Sequence, residues 1–301
     1  MRDTRDATLY RLSYPLFIQS LVMFLVMVVD MMIWSAHAPE TATALSVAGQ
    51  VLRVGLELAA LLGIGAVIQI SQQLGAKDEA GARQTASIAV SASLFLGVFI
   101  ALAMALLGPV LLRAMAREPS IERDATTYLY FSGAALIAIC FGNTAVSCLR
   151  GFGKSKTVMS LGISGAAFYL TIGYCLVLGP GALPAFGASG AGAANLLTRI
   201  VFFAILIFIL IRVLRVEVNL SGVFPRALAA RKMMSLALPS VSDFIAYGIY
   251  QIVLIGLIST LGDLELLARA YAMIAVAFVT LVIMSLVLGT EVLIGYRIGE
   301  G

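Results

Sequence analysis

One aspartate stands alone in the apolar run between Leu12 and Ala36, set in Val28-Val29-Asp30-Met31-Met32. An ionisable group inside a membrane-length apolar segment is costly to bury and by default marks an ion or proton path. Asp30 is therefore the leading candidate for cation or proton coupling, against a purely structural hydrogen bond to a neighbouring helix. Three further acids sit in apolar surroundings. Glu57 follows Arg53 at i, i+4, so the two share one helical face and can pair; Glu57 is either half of that self-neutralising pair or part of the cation path. Asp243 and Glu291 are candidates of the same kind, with snorkelling towards the interface as the alternative for each. Asn195 and Thr198, spaced i, i+3, could coordinate a cation or bridge two helices by hydrogen bonds. Met23, Met27 and Met31 recur every four residues beside Asp30, and thioethers offer a soft surface that repacks around different ligands. Ordinary helix packing would use the same residues.

Two apparent motifs carry no chemistry. Gly151-Phe152-Gly153-Lys154-Ser155 imitates the tail of a phosphate-binding loop, but Cys148 stands where the first glycine belongs, and an apolar helix precedes it rather than a strand. His37 is the sole histidine. Cys140, Cys148 and Cys175 lie in apolar stretches with neither disulfide nor zinc spacing, so packing is their expected role. The chain holds no nucleophile–base constellation, which argues against an enzyme.

The elements that must position these residues follow from composition. The chain has 301 residues, 61% hydrophobic and 12% charged, with mean hydropathy +1.02. That is too few charges to coat a water-facing surface, so the partner is the lipid bilayer. The net charge of +4 is not gathered into a nucleic-acid arm. A spanning helix needs about 20 mostly apolar residues, and eight such stretches occur: 12–36, 44–72, 84–112, 125–149, 156–180, 190–214, 236–261 and 268–298. Backbone groups cannot go unpaired in lipid and the stretches exceed barrel strands, so the fold class is an all-α polytopic membrane protein. Lysine and arginine crowd one set of alternating loops: Arg2, Arg5 and Arg11, then Lys77 and Arg83, Arg150, Lys154 and Lys156, Arg212 to Lys232, and Arg297. The other side has Arg113, Arg117 and Arg123, offset by neighbouring acids. This bias places both termini in the cytoplasm, in a cytoplasmic (inner) membrane.

An internal repeat organises the chain. At a constant offset of 224 residues, Pro15 meets Pro239, Ala44 meets Ala268, Gly65 meets Gly289 and Gly75 meets Gly299. The offset equals six helices, so the repeats are parallel. Residues 1–221 read as a six-helix lobe and 222–301 as the first two helices of a second, incomplete lobe. Asp243 and Glu291 fall opposite Gln19 and Val67, so the two copies are chemically asymmetric. By this arithmetic the chain is a truncated form of a twelve-helix architecture, needing its missing C-terminal helices or a second chain to complete a cavity.

In this order and spacing the residues resemble the multidrug and toxic compound extrusion (MATE) family, from about residue 9 to 301. The landmarks are Tyr14-Pro15, Val29-Asp30, Ile70-Ser71-Gln72-Gln73-Leu74-Gly75-Ala76-Lys77-Asp78, Cys148-Leu149-Arg150-Gly151-Phe152-Gly153-Lys154, Gly187-Ala188-Ser189-Gly190-Ala191-Gly192-Ala193-Ala194, Leu236-Ala237-Leu238-Pro239 and Gly295-Tyr296-Arg297-Ile298-Gly299-Glu300-Gly301. The resemblance implies a secondary antiporter that exports drugs or organic cations, driven by sodium or proton flow, with no cofactor. It puts the family's coupling acid at Asp30, with sodium as a possible metal there. Where family members often place an Asn and an Asp one turn apart in the fifth helix, this chain has Tyr169 and Gly173. Where one subgroup has a helix-seven Glu, it has Tyr247, with Asp243 one turn earlier. Sodium and proton both remain open. The alternative is a lipid-linked oligosaccharide flippase of a related fold, which would line its cavity with several cations, whereas these helices supply mainly Arg53 and Arg199.

Overall fold

The computed structural model describes residues 9–115, 119–180, 184–212, 214–216 and 263–300, with single positions between 235 and 257. All regular structure among them is helical: α1 (Leu9–His37), α2 (Pro39–Gly75), α3 (Glu79–Met115), α4 (Pro119–Gly151), α5 (Ser155–Leu178), α6 (Gly187–Arg212) and α7 (Asp263–Glu300). Among the described residues, seven helices are long and apolar enough to cross a membrane. Asp243 and Tyr247, with nearly all of the stretch 236–261, lie outside the described residues, and α7 carries the eighth apolar stretch.

The helices overrun their apolar stretches because polar residues start and stop them. Pro39 and Pro119 open α2 and α4, where a missing N–H costs nothing. Between α2 and α3 the chain reverses through Lys77 at φ 63°. The Asp78 carboxylate then accepts the Gly81 N–H at 2.8 Å, capping α3.

Lipid tails are as apolar as leucine, so these helices associate through close packing and polar bridges rather than by escape from water. α4 is the hub, packed against α2, α3 and α6. Of its most apolar window 67% is buried, against 11% for α1. Apolar packing divides into two clusters. One joins Ile33, Leu45, Leu52, Ile100, Leu129 and Leu136 within the first six helices, towards the end marked by His37. The other joins Leu12, Ile70, Phe141, Leu149 and Leu210 to Val292 and Tyr296 of α7. It lies towards the opposite end, where Lys77, Arg150, Lys154 and Arg297 collect and which we call the basic end.

α2 and α7 cross at the basic end with backbone against backbone. A Cβ on Gly75 would collide with the Tyr296 carbonyl, and one on Gly299 with the Gln72 carbonyl. The two contacts are reciprocal under the 224-residue offset, which carries residue 72 to 296 and 75 to 299. Only glycine permits so close an approach on both strands of the crossing.

Candidate functional site

Near the His37 end a polar network draws groups from four helices. Asp30 of α1 accepts a hydrogen bond from the Tyr169 hydroxyl of α5. Tyr128 of α4 is within electrostatic reach of both, and is itself hydrogen-bonded to Ser132 one turn further along the same helix. The Asn195 amide of α6 donates to the Ser132 hydroxyl at 3.2 Å, and its carbonyl oxygen accepts Nε–H of Arg199 at 3.3 Å. Arg199 in turn acts on Tyr128 and Tyr169. Its side chain is accessible at the surface. Trp34, the sole tryptophan, packs edge-on to the Tyr128 ring at 6.4 Å. Thr198, 6% exposed, has no hydrogen-bond partner from the protein for its hydroxyl.

The arrangement follows from helical spacing. Tyr128 and Ser132 are i, i+4 on α4, as are Asn195 and Arg199 on α6, so each helix presents two polar groups on one face. Among the expected site residues, Asp30, Tyr169 and Asn195 come together here, and Thr198 lies on the same turn of α6 as Arg199. Tyr128 and Ser132 were not singled out in the sequence; hydroxyls occur in many apolar stretches, and their only signal is the shared face. The network has one carboxylate and one guanidinium, set among neutral hydroxyl and amide dipoles. Such an arrangement offers one carboxylate at which a cation or a proton can bind.

The other expected residues lie elsewhere. Arg53 and Glu57 pair with each other at 3.8 Å on an open face of α2, with 76% and 41% of their side chains exposed. Met23, Met27 and Met31 are exposed on α1, but Leu25 and Val28 are equally so. Glu291 stands at the basic end, where its charge acts on Arg150 of α4. There Arg150 donates to Ser147 Oγ at 2.8 Å, and the Tyr296 hydroxyl donates to the Gly151 carbonyl at 3.0 Å. Ser13 Oγ, Gln69 Nε2, Gln73 Oε1 and Arg150 Nε have no protein partner. Arg150, whose position in the chain suggests only a basic turn, thus lies within electrostatic reach of Glu291 on α7. Among the described residues no three His, Cys, Asp or Glu side chains are grouped to hold a metal ion. The three cysteines are free, Cys140 and Cys148 fully buried.

A family model described as MatE matches residues 15–177. Among curated relatives, the uncharacterized transporter YisQ of Bacillus subtilis is 23% identical over 294 residues, covering 97% of this chain and 64% of its own length. A probable multidrug resistance protein NorM of Oceanobacillus iheyensis is 27% identical over 176 residues, covering 57% of this chain and 39% of its own. Among solved structures, a MOP superfamily transporter from Pyrococcus furiosus, with a binding pocket of reverse polarity, matches with a TM-score of 0.87 at 26% identity. It is covered to 64% by 97% of this chain.

Proposed function

This chain belongs to the MatE family, and on that premise we propose that it works as an ion-driven exporter of small amphipathic, cationic molecules. It spans 64% of the length of its Bacillus subtilis relative, so the transport cycle is proposed for the architecture that these helices share with the family. The observation that carries the reading is Asp30, a carboxylate within a spanning helix that is held by the Tyr169 hydroxyl of α5 and lies within electrostatic reach of Tyr128 on α4. A carboxylate so placed changes its charge state with the ion it binds. A ligand shifts the balance between inward- and outward-facing forms only by binding one of them better, and Asp30 is where that difference arises.

The membrane is the cytoplasmic one, with both termini in the cytoplasm on the strength of the loop charges. The basic end then faces inwards and the Asp30 network lies towards the outer face. Residues 1–221 form one bundle and 222–301 begin a parallel second one. The reciprocal crossing of Gly75 and Gly299 is what a two-fold relation between such bundles produces. In cells expressing the protein, Asp30→Asn is expected to abolish ion-driven dye efflux at unchanged expression. Undiminished efflux would remove Asp30 from the cycle.

A further inference from the structure

We propose that the joined ends of α5 and α6 bind an anionic phospholipid, with its phosphate on Lys154, Lys156, Arg212 and Arg215 and an acyl chain along an exposed apolar stripe of α6. This surface is separate from the Asp30 network, and the inference stands whatever molecule is exported.

Acid is missing from this part of the chain. Between Asp124 and Glu217 the sequence contains no Asp or Glu, so α5 and α6 carry cations alone. Glu217 itself lies outside the described residues. Lys154, Lys156, Arg212 and Arg215 are all exposed, and none forms an ion pair among the described residues. Elsewhere at the basic end cations meet acids. Arg83 pairs with Glu79 at 3.4 Å and Arg297 with Glu300 at 3.9 Å, Asp78 follows Lys77, and Arg150 senses Glu291. A topology signal needs only an excess of cations on one side of the membrane, not their concentration on one pair of helices.

The backbone holds these cations in place. Val158 of α5 joins Leu210, Leu214 and Val216 of α6 in one apolar cluster, which brings the start of one helix to the end of the other. Deeper in the seam the Phe202 ring covers Gly165, approaching its Cβ position to 3.0 Å. Both charged segments alternate: Ser155 is buried between Lys154 and Lys156, and Arg215 stands exposed between buried Leu214 and Val216. Arg215 takes a left-handed conformation at φ 53°. On either side of it, the Leu214 N–H donates to the Ile209 carbonyl at 3.3 Å and the Val216 N–H to the Leu210 carbonyl at 3.0 Å. Four like charges gathered at one seam repel, and an anionic headgroup relieves that repulsion where a zwitterionic one does not.

Below the cations the surface suits an acyl chain. Val201, Ile205 and Phe208 are exposed at i, i+4 and i+7, and Arg212 continues their face one turn further. From Val201 to Arg212 the helix rises about 16 Å, and one leaflet of hydrocarbon is roughly 15 Å deep. α7 packs on α1 and α2, so this face of α6 is left to the bilayer. A nucleic acid or an acidic protein would meet the cations but has no use for the stripe. With the basic end inwards, as proposed above, the lipid belongs to the inner leaflet.

The test puts an indole in the stripe. The full chain carrying Phe208→Trp is reconstituted in phosphatidylcholine vesicles with increasing amounts of brominated phosphatidylglycerol or brominated phosphatidylcholine. Quenching of emission is read against the parent chain, whose Trp34 supplies the background. The anionic lipid is expected to quench at roughly tenfold lower mole fraction. That preference is expected to vanish when Lys154→Gln, Lys156→Gln, Arg212→Gln and Arg215→Gln are added. Ile294→Trp, exposed on α7 near the Arg297–Glu300 pair, is expected to show no preference. Equal quenching by the two lipids at Phe208→Trp overturns the inference. So does a preference that survives the quadruple variant, or one of equal size at Ile294→Trp, which is the mark of surface potential alone. Sodium phosphate that abolishes the preference, where sodium chloride of equal ionic strength does not, would assign the patch to a free anion and overturn it too. If the quadruple variant does not fold, Arg212→Gln alone decides: a weakening of about threefold is expected, and none overturns the inference.

Discussion

The polar groups at the two ends of this bundle are assembled on opposite principles. Near the His37 end, Asp30, Tyr169, Tyr128, Ser132, Asn195 and Arg199 come from α1, α4, α5 and α6, and nearly all satisfy one another. At the basic end, Arg150 and Glu291 reach between α4 and α7, Ser13, Gln69, Gln73 and Arg150 keep polar atoms without a protein partner, and the helices touch through bare backbone. We read the first region as a candidate site, its members drawn from four of the first six helices. The second is a joint, where the first six helices meet α7 and where the fit depends on the absence of side chains. Charge near a spanning helix thus serves two ends in one molecule, inside a hydrogen-bonded network at one end and beside a tight backbone crossing at the other.

Substitutions at the joint should therefore be read in stability, and those at the site in transport. The largest effect is expected from Gly299→Val, whose branched side chain has only the Gln72 carbonyl and the Ala76 amide to press against. Backbone cannot yield as a flexible side chain does, so a loss of about 3 kcal/mol or more is expected in thermal or denaturant melting. Gly133→Ala is the control within the hub helix. No atom lies within 4 Å of its Cβ position, and stability should hold or rise by up to about 1 kcal/mol. Equal damage from both would show that the crossing is not the tight point.

A smaller effect is expected from Arg150→Met, which strands Glu291 and Ser147: a loss of about 2 kcal/mol. Adding Glu291→Gln should recover about 1 kcal/mol of it, because the stranded charge is removed. Strictly additive losses would mean that the two groups do not sense each other. The smallest effect belongs to Tyr296→Phe, which leaves the buried Gly151 carbonyl unpaired at a cost of about 1 kcal/mol. No change in melting would mean that the hydroxyl is not bonded there.

The helices were legible in the sequence because lipid demands long apolar runs, and the runs stand out against charged turns. Their ends were not, because Glu79, Pro39 and Asp263 begin helices that project beyond the apolar core. The pairing of Arg53 with Glu57 could be read from spacing alone. Asp30 announced itself as a lone charge, whereas Tyr169 drew notice only through the family resemblance. Tyr128, Ser132 and the bond from Arg199 to Asn195 depend on how α4 and α6 are rotated against each other, and no local pattern encodes that angle. Glu291 looked like Asp30 in sequence, an acid in an apolar helix, and only packing reveals that its neighbour is Arg150 rather than a tyrosine.

The role proposed for Asp30 is to couple ions to export while contributing little to the fold. It is tested most directly by measuring ion-driven dye efflux and thermal melting together for Asp30→Asn, with Glu57→Gln as the companion. Asp30→Asn is expected to lose efflux with its melting curve in place, and Glu57→Gln to retain both. Efflux that persists in Asp30→Asn, or that falls equally in Glu57→Gln, would contradict it.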